Sequence, residues 1–382
     1  MERWAVIAVG VLLLVAAKAL FGRGPGPRPK QNLRRHPEDR FDLDELARRL
    51  GREPDFLRGF VPTYGRHTIA KRGPYRDGPG GRRTLHTPDP DAMAIQRAIL
   101  HRILRDLRVH GAATGFERGC SVAKNAAAHA HQAVVIKLDL KSFFERTGAE
   151  RVRAYFRFIG WNDEAADVLT RLTTYEGGLP QGAPTSPALS NRVNFSLDAT
   201  IAREALYCGA TYTRYADDIT LSLPYDRSAT PRGLIQRVER IAKRHGYTVH
   251  RTKKRHVLRP HQRQEVTGLV VNDGPRLPRK TRRWLRAVEH RIRTGGAATL
   301  TPEQLAGWRA YESHVKEVQQ EHADALRTAM AAALERNDGR IAFAASTQGV
   351  SRATFVRRMK RLGLWDEEKR MKPRSGPQGT SA

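Results

Sequence analysis

Cysteine is nearly absent from this 382-residue chain, which holds only Cys120 and Cys208. So few thiols exclude a disulfide-stapled scaffold and a cysteine-ligated metal centre, and nothing requires an oxidising compartment. Acidic residues are also scarce: 39 Asp and Glu stand against 68 Lys and Arg, a formal net charge of +29. Long apolar runs are missing beyond the first residues, which excludes a polytopic membrane protein. No internal repeat is visible. What remains is ordinary globular material, 40% hydrophobic and 28% charged, enough for two to three domains at about 150 residues each. A surplus of positive charge attracts polyanions, nucleic acid first and an anionic membrane surface second.

The single apolar run is WAVIAVGVLLLVAAKALF, residues 4–21. It sits at the short limit of a membrane-spanning helix. Arg23, Arg28, Lys30, Arg34 and Arg35 follow it while only Arg3 precedes it, so the positive-inside rule puts the body of the protein in the cytoplasm. Residues 1–22 therefore read as a single-pass anchor in the inner (cytoplasmic) membrane, and 23–40 as a basic Pro/Gly linker. Apolar spacing predicts helix over 41–60 and over Asp91–Val109, and Gly73–Gly81 reads as a loop. Val134–Leu140 reads as a buried strand and Thr211–Leu223 as a hairpin. A helix over 231–246, a strand over Val266–Val271 and helices after Pro275 complete the pattern.

Three acids sit where acids are least expected. Asp139 ends the apolar run VVIKLD, and Asp217 and Asp218 occupy the tip of the hairpin TRYADDITLS. Buried carboxylates are costly unless paired or metal-bound, and adjacent ones repel. Hard divalent ions take oxygen ligands and keep substrate phosphates in their shell. Two such ions about 4 Å apart serve nucleotidyl transfer, activating one oxygen and stabilising another.

These residues carry a resemblance. Tyr215-Ala216-Asp217-Asp218 resembles the YxDD signature of reverse transcriptases. Asp139 with Phe143-Phe144 resembles their first palm motif, and Leu179-Pro180-Gln181-Gly182 with Leu189-Ser190-Asn191 resembles the LPQG motif. Asn125-Ala126-Ala127-Ala128-His129 is similar to the NAxxH motif of retron enzymes, Gly115-Phe116 to the stretch preceding it, and Val266-Thr267-Gly268 to their VTG motif. The resemblance covers roughly residues 60–315 and departs in the sixth motif, where His250-Arg251-Thr252-Lys253-Lys254 stands for Asn-x-x-Lys-Thr.

The resemblance implies roles. Asp139, Asp217 and Asp218 would hold two magnesium ions, with manganese as the alternative. Phe144 would be the steric gate against a 2′-hydroxyl. Gln181 would lie along the incoming nucleotide, with Tyr215 beside it. Arg83 would bind the triphosphate and Lys253 would support the primer end. Asn125, His129, Val266, Thr267 and Gly268 would contact RNA, although Asn125 and His129, sharing one helix face, equally read as a structural pair.

Residues 276–293 form a strongly basic segment that resembles the start of a thumb, taken to run over 276–320. Residues 326–366 read as helix, turn, helix, turn, helix, with Ser351 capping the last helix and Gln348-Gly349-Val350 as the short turn. That spacing resembles Fis-type helix-turn-helix domains, which would put Arg352, Thr354, Arg357, Arg358 and Arg361 on or beside a DNA-recognition helix. Residues 367–382 read as a disordered tail.

The expectation is an α+β protein: a right-hand fingers–palm fold over 41–275, a helical thumb, an N-terminal transmembrane helix and a C-terminal three-helix domain. Its activity would be RNA-directed DNA polymerisation of retron type. The partners would be a structured RNA template, deoxynucleotides, the DNA product, the membrane and a separate effector in anti-phage defence. The alternatives are a defence-associated or group II intron-like reverse transcriptase with other priming, and a membrane-tethered nucleic-acid-binding protein.

Overall fold

The computed structural model describes residues 40–70, 82–226, 229–250 and 256–365. The expected anchor (1–22), most of the linker, the 73–81 loop, Lys253 and the tail lie outside the described residues. Among the described residues no helix is long and apolar enough to cross a membrane. Those up to Val315 form one compact unit and those from Lys316 onward another.

The first unit opens with α1 (Leu43–Leu50). Asp42 accepts from the Glu45 amide at 2.9 Å to cap it, and Gly51, at φ 67°, ends it. Leu43, Leu46, Ala47 and Leu50 turn one face inward, as the helical period requires. After α2 (Pro54–Gly59), β1 (Tyr64–Ala70) pairs antiparallel with β2 (Arg82–Pro88), Ile69 opposite Arg83. The helix expected over 91–109 is shorter. Asp89 caps α3 (Pro90–Ile99), which passes into one π turn, Leu100–Leu104. Then come α4 (Val122–Ala127), β3 (Val134–Asp139), α5 (Ala149–Phe158), α6 (Asp163–Thr173), α7 (Ser186–Val193) and α8 (Phe195–Tyr207). The predicted hairpin is β4 (Thr211–Tyr215) and β5 (Asp218–Leu223), followed by α9 (Ala229–Arg244) and β6 (His256–Leu258).

Strands β4, β5, β3 and β6 form, in that order, an antiparallel sheet. Its register sorts the side chains. Val134, Ile136 and Leu138 stand opposite Leu223, Leu221 and Ile219, and together with residues of α8 and α9 they make one core. By the period-2 alternation, Val135, Lys137 and Asp139 point to the other face with Ser222, Thr220 and Asp218. A second core gathers α1, α3, α5, α6 and α7 around Trp161 and Phe156. Phe144 packs against both cores.

The strand expected over 266–271 is instead a two-residue hairpin. β7 (Glu265–Val266) turns into β8 (Leu269–Val270) through Thr267 (φ 45°) and Gly268 (φ 85°). Positive φ at both central positions is the geometry that matches strand twist in a tight hairpin. The basic α10 (Arg279–Arg293) follows, and α11 (Pro302–Glu335) begins in the first unit.

In the second unit the end of α11 packs with α12 (Ile341–Thr347) and α13 (Arg352–Arg361) around Met330, Ala333, Ala344, Ala345, Val350, Phe355, Met359 and Leu362. Gly349 turns at φ 61°, and Ser351 caps α13 by accepting from the Thr354 amide at 3.2 Å. Arg352, Arg357 and Arg361 are exposed. Arg358 is half-buried.

Candidate active site

Register alone assembles the site. Asp139 on β3 stands directly opposite Asp218 on β5, which stands opposite Tyr215 on β4. Like charges directly opposite in a sheet are destabilising, and a cation between them would offset the repulsion. Asp217 lies in the turn, where its carbonyl accepts from the Leu140 amide at 3.0 Å and locks the tip to the end of β3. Asp139 is 3% exposed, while Asp217 and Asp218 are half-buried. The donor set is all oxygen and suits a hard divalent ion. Among the described residues no three His, Cys, Asp or Glu side chains form a ready-made cage.

His250, which the motif comparison marked only as a departure, lies beside these acids. It replaces the motif's Asn, donates its backbone amide to the Asp139 carbonyl at 2.8 Å and places Nε2 3.5 Å from Asp139 Oδ1. The substitution is visible in the sequence; its proximity to Asp139 follows only from the pairing of 248–250 with the end of β3.

Beneath the hairpin lies a buried ion pair. Arg214 donates to Asp198 through Nε (2.8 Å) and Nη2 (2.6 Å), and Tyr212 donates to the same carboxylate at 2.7 Å. Both partners are fully buried. Burial alone would pull Arg214 down, but the Asp198 carboxylate outweighs it and holds the guanidinium charged. Its Nη1 donates to the Ala216 carbonyl at 3.1 Å, supporting a turn in which Ala216 sits at φ 56°.

Phe144, Gln181 and Arg83 are the other described residues expected to bind the nucleotide. Phe144 is half-buried, five residues past Asp139, and its ring lies 5.5 Å from that of Phe143. Gln181 is half-buried, and its carbonyl accepts from the His86 amide of β2 at 2.7 Å. Gly182, at φ 115°, is needed because a Cβ would meet the His86 carbonyl at 3.1 Å. Arg83, on the same strand as His86, is exposed.

The retron-like motifs are found inside, not on the surface. His129 is fully buried, bonded to Ser222 Oγ and Thr213 Oγ1 at 2.8 Å each, and burial pushes its imidazole down to about 3. Asn125 accepts from Thr114 Oγ1 at 2.7 Å and donates to Thr267 Oγ1 at 3.4 Å. Val266 is fully buried. Thr267 also donates to the Val122 carbonyl, so the two motifs clasp each other. Asn125, His129 and Val266, expected to contact RNA, are buried, and the polar pair bonds within the protein, holding the sheet, the helix and the hairpin together. Only Gly268 of that set is exposed.

Residues 69–285 match the family described as reverse transcriptase (RNA-dependent DNA polymerase). The chain belongs to this family. Among reverse transcriptases it is similar to the retron Mx162 enzyme of Myxococcus xanthus, 37% identical over 70% of this chain and 62% of that one. It is also similar to the retron Ec86 enzyme of Escherichia coli, 31% identical over 64% of this chain and 74% of that one. It is thus a retron-type reverse transcriptase that spans rather less than two thirds of the length of the Mx162 relative. A telomerase from Candida albicans, solved with a telomeric RNA fragment, superposes with a TM-score of 0.43 at 10% identity, covering 84% of this chain and 64% of that one. Likeness at that level adds nothing to the assignment.

Proposed function

We propose that the chain is an RNA-directed DNA polymerase that copies a structured non-coding RNA into single-stranded DNA. One observation carries the reading: Asp139, Asp218 and Tyr215 stand in line across three strands, on the sheet face away from α8 and α9. The primer 3′-oxygen attacks the α-phosphate of a deoxynucleotide, the phosphodiester forms and pyrophosphate leaves. Asp139, Asp217 and Asp218 would hold two magnesium ions, which when bound neutralise the phosphates and acidify the attacking hydroxyl. Arg83 would bind the triphosphate, its forked guanidinium matching phosphate oxygens. Gln181 and Tyr215 line the nucleotide, Phe144 leaves no room for a 2′-hydroxyl, and Lys253 supports the primer end. Asp217→Asn with Asp218→Asn should abolish deoxynucleotide incorporation while the thermal unfolding profile is kept. A double variant as active as the wild type would sink the reading.

Further parts of the reading concern location and partners. Residues 1–22 would anchor the protein in the cytoplasmic membrane with the catalytic body inside, and a separate effector would act with it in anti-phage defence. The second unit would bind nucleic acid as a helix-turn-helix. The Ser351 cap, the Gly349 turn and the exposed Arg352, Arg357 and Arg361 on α13 support this. Duplex DNA is the expected ligand.

A further inference from the structure

Phe116 occupies a conformation that a phenylalanine does not choose. Its φ is +64°, in the left-handed region, and its side chain is 50% exposed. A bulky residue is strained there and persists only where the surroundings over-determine it. Here they do. The Arg214 amide donates to the Ala112 carbonyl at 2.7 Å and the Thr114 amide to the Arg214 carbonyl at 2.9 Å, so residues 112–114 run along β4. Gly115 then comes so close to the hairpin that a Cβ would meet the Ala216 nitrogen at 2.9 Å. Asn191, fully buried, donates to the Gly115 carbonyl at 2.7 Å and to Glu117 Oε1 at 3.0 Å, and Arg192 reaches the same carboxylate. Thr114 is tied to Asn125. Bonds on both sides of Phe116 thus impose the strained conformation.

The ring they hold bridges two residues of the site. Its centroid lies 6.3 Å from that of Phe144 and 5.9 Å from that of Tyr215, tilted by 51° and 44°. Both spacings are within the range of favourable aromatic pairs. Phe144 is buttressed by Phe143 on one side and by Phe116 on another. A gate that works by excluding one hydroxyl is only as selective as its ring is immobile, because a displacement of about 1 Å opens the space it denies.

We propose that Phe116 is a positioning residue for sugar selection: it fixes the Phe144 ring against the Tyr215 hairpin and thereby sets the discrimination between deoxyribonucleotides and ribonucleotides. The inference rests on the polymerase reading above and deepens it. It also explains the layout of the motifs, since Asn125 and Asn191 both serve the loop that carries Phe116.

The test uses Phe116→Gly, because glycine adopts φ +64° without strain, and that relief offsets part of the cost of removing the ring. Steady-state kcat/KM is measured for a deoxynucleotide and its ribonucleotide on one primed RNA template. Phe116→Gly should lower the preference for deoxynucleotides about tenfold, the equivalent of one aromatic pair. Phe116→Tyr, which keeps the ring, should restore it. Phe116→Gly added to Phe144→Ala should change the ratio no further than Phe144→Ala alone. An unaltered ratio in Phe116→Gly, or additive effects in the double variant, overturns the proposal and leaves the polymerase reading intact. A wild type that incorporates no nucleotide overturns both.

Discussion

Asp198→Asn tests whether the ion pair beneath the hairpin does what its geometry implies. The substitution keeps the size of the side chain and an acceptor for Tyr212, but leaves the Arg214 guanidinium buried without a counter-charge. Both partners are fully buried, so solvent cannot screen the loss. Removing one partner of such a pair costs about 3–5 kcal/mol. That is a large part of the roughly 5–15 kcal/mol by which domains are stable. Urea unfolding followed by tryptophan fluorescence should show the fall as a lower midpoint at an unchanged slope. Asp198→Leu with Arg214→Met should recover most of it, because a packed apolar pair is often as stable as a buried ionic one. The recovered protein would still lack the donor to the Ala216 carbonyl. One net hydrogen bond is about 0.5–1.5 kcal/mol, so nucleotide incorporation should stay roughly two- to tenfold below wild type. A loss under about 1 kcal/mol in Asp198→Asn would mean the pair is solvated, against the reasoning from burial. Full activity in the stable double variant would show that the hairpin does not need Arg214.

His129 should make the first unit acid-sensitive. A free imidazole titrates near 6.5 and the buried one near 3, so the unfolded chain takes the proton first and stability is lost as pH falls below about 6.5. Between pH 7 and 5 the loss should be about 2 kcal/mol in denaturant titrations, and a flat profile, or an equal slope in His129→Gln, refutes it. Arg352→Ala with Arg357→Ala should lower the slope of log affinity for duplex DNA against log salt by up to about 1.8, at about 0.9 for each phosphate no longer neutralised; no change means that α13 does not lie on DNA, and tighter binding of structured RNA than of DNA would make it a template-recognition element. Deleting residues 1–22 should move the protein from the membrane pellet to the soluble fraction with incorporation retained, and a full-length protein that is soluble already refutes the anchor.

Much of the palm was legible in the sequence because strand alternation is a short-range property. The apolar run ending at Asp139 and the hairpin centred on Ala216 are found as read, and their pairing puts Asp139 opposite Asp218. In the second unit, Phe355, Met359 and Leu362 are buried at helical spacing and Val350 is buried in the turn before them, while Ala342 is exposed. A methyl group carries too little apolar surface to fix which face of a seven-residue helix turns inward. The 266–271 segment misled for a related reason. Its apolar residues look like one strand, but Thr267 and Gly268 both need positive φ, and only the folded register reveals that.

The polar motifs were harder to read. Asn125 and His129 are hydrogen-bonding residues at helical spacing, and a sequence does not say whether their partners are nucleotides or side chains. The structure supplies partners 84 to 142 residues away: Thr213 and Ser222 for His129, Thr267 for Asn125. A histidine whose two nitrogens both meet buried hydroxyls is fully satisfied, and exposing it to RNA would mean breaking both bonds and opening the sheet. These residues bear on catalysis only through what they hold in place. His129 fixes α4 to the strands that carry Asp218 and Tyr215, and Asn125 fixes the Thr114 end of the Phe116 loop. Variants at either position should therefore alter stability and nucleotide selection together, whereas residues that touched RNA directly would, when replaced, weaken template binding and leave both unchanged.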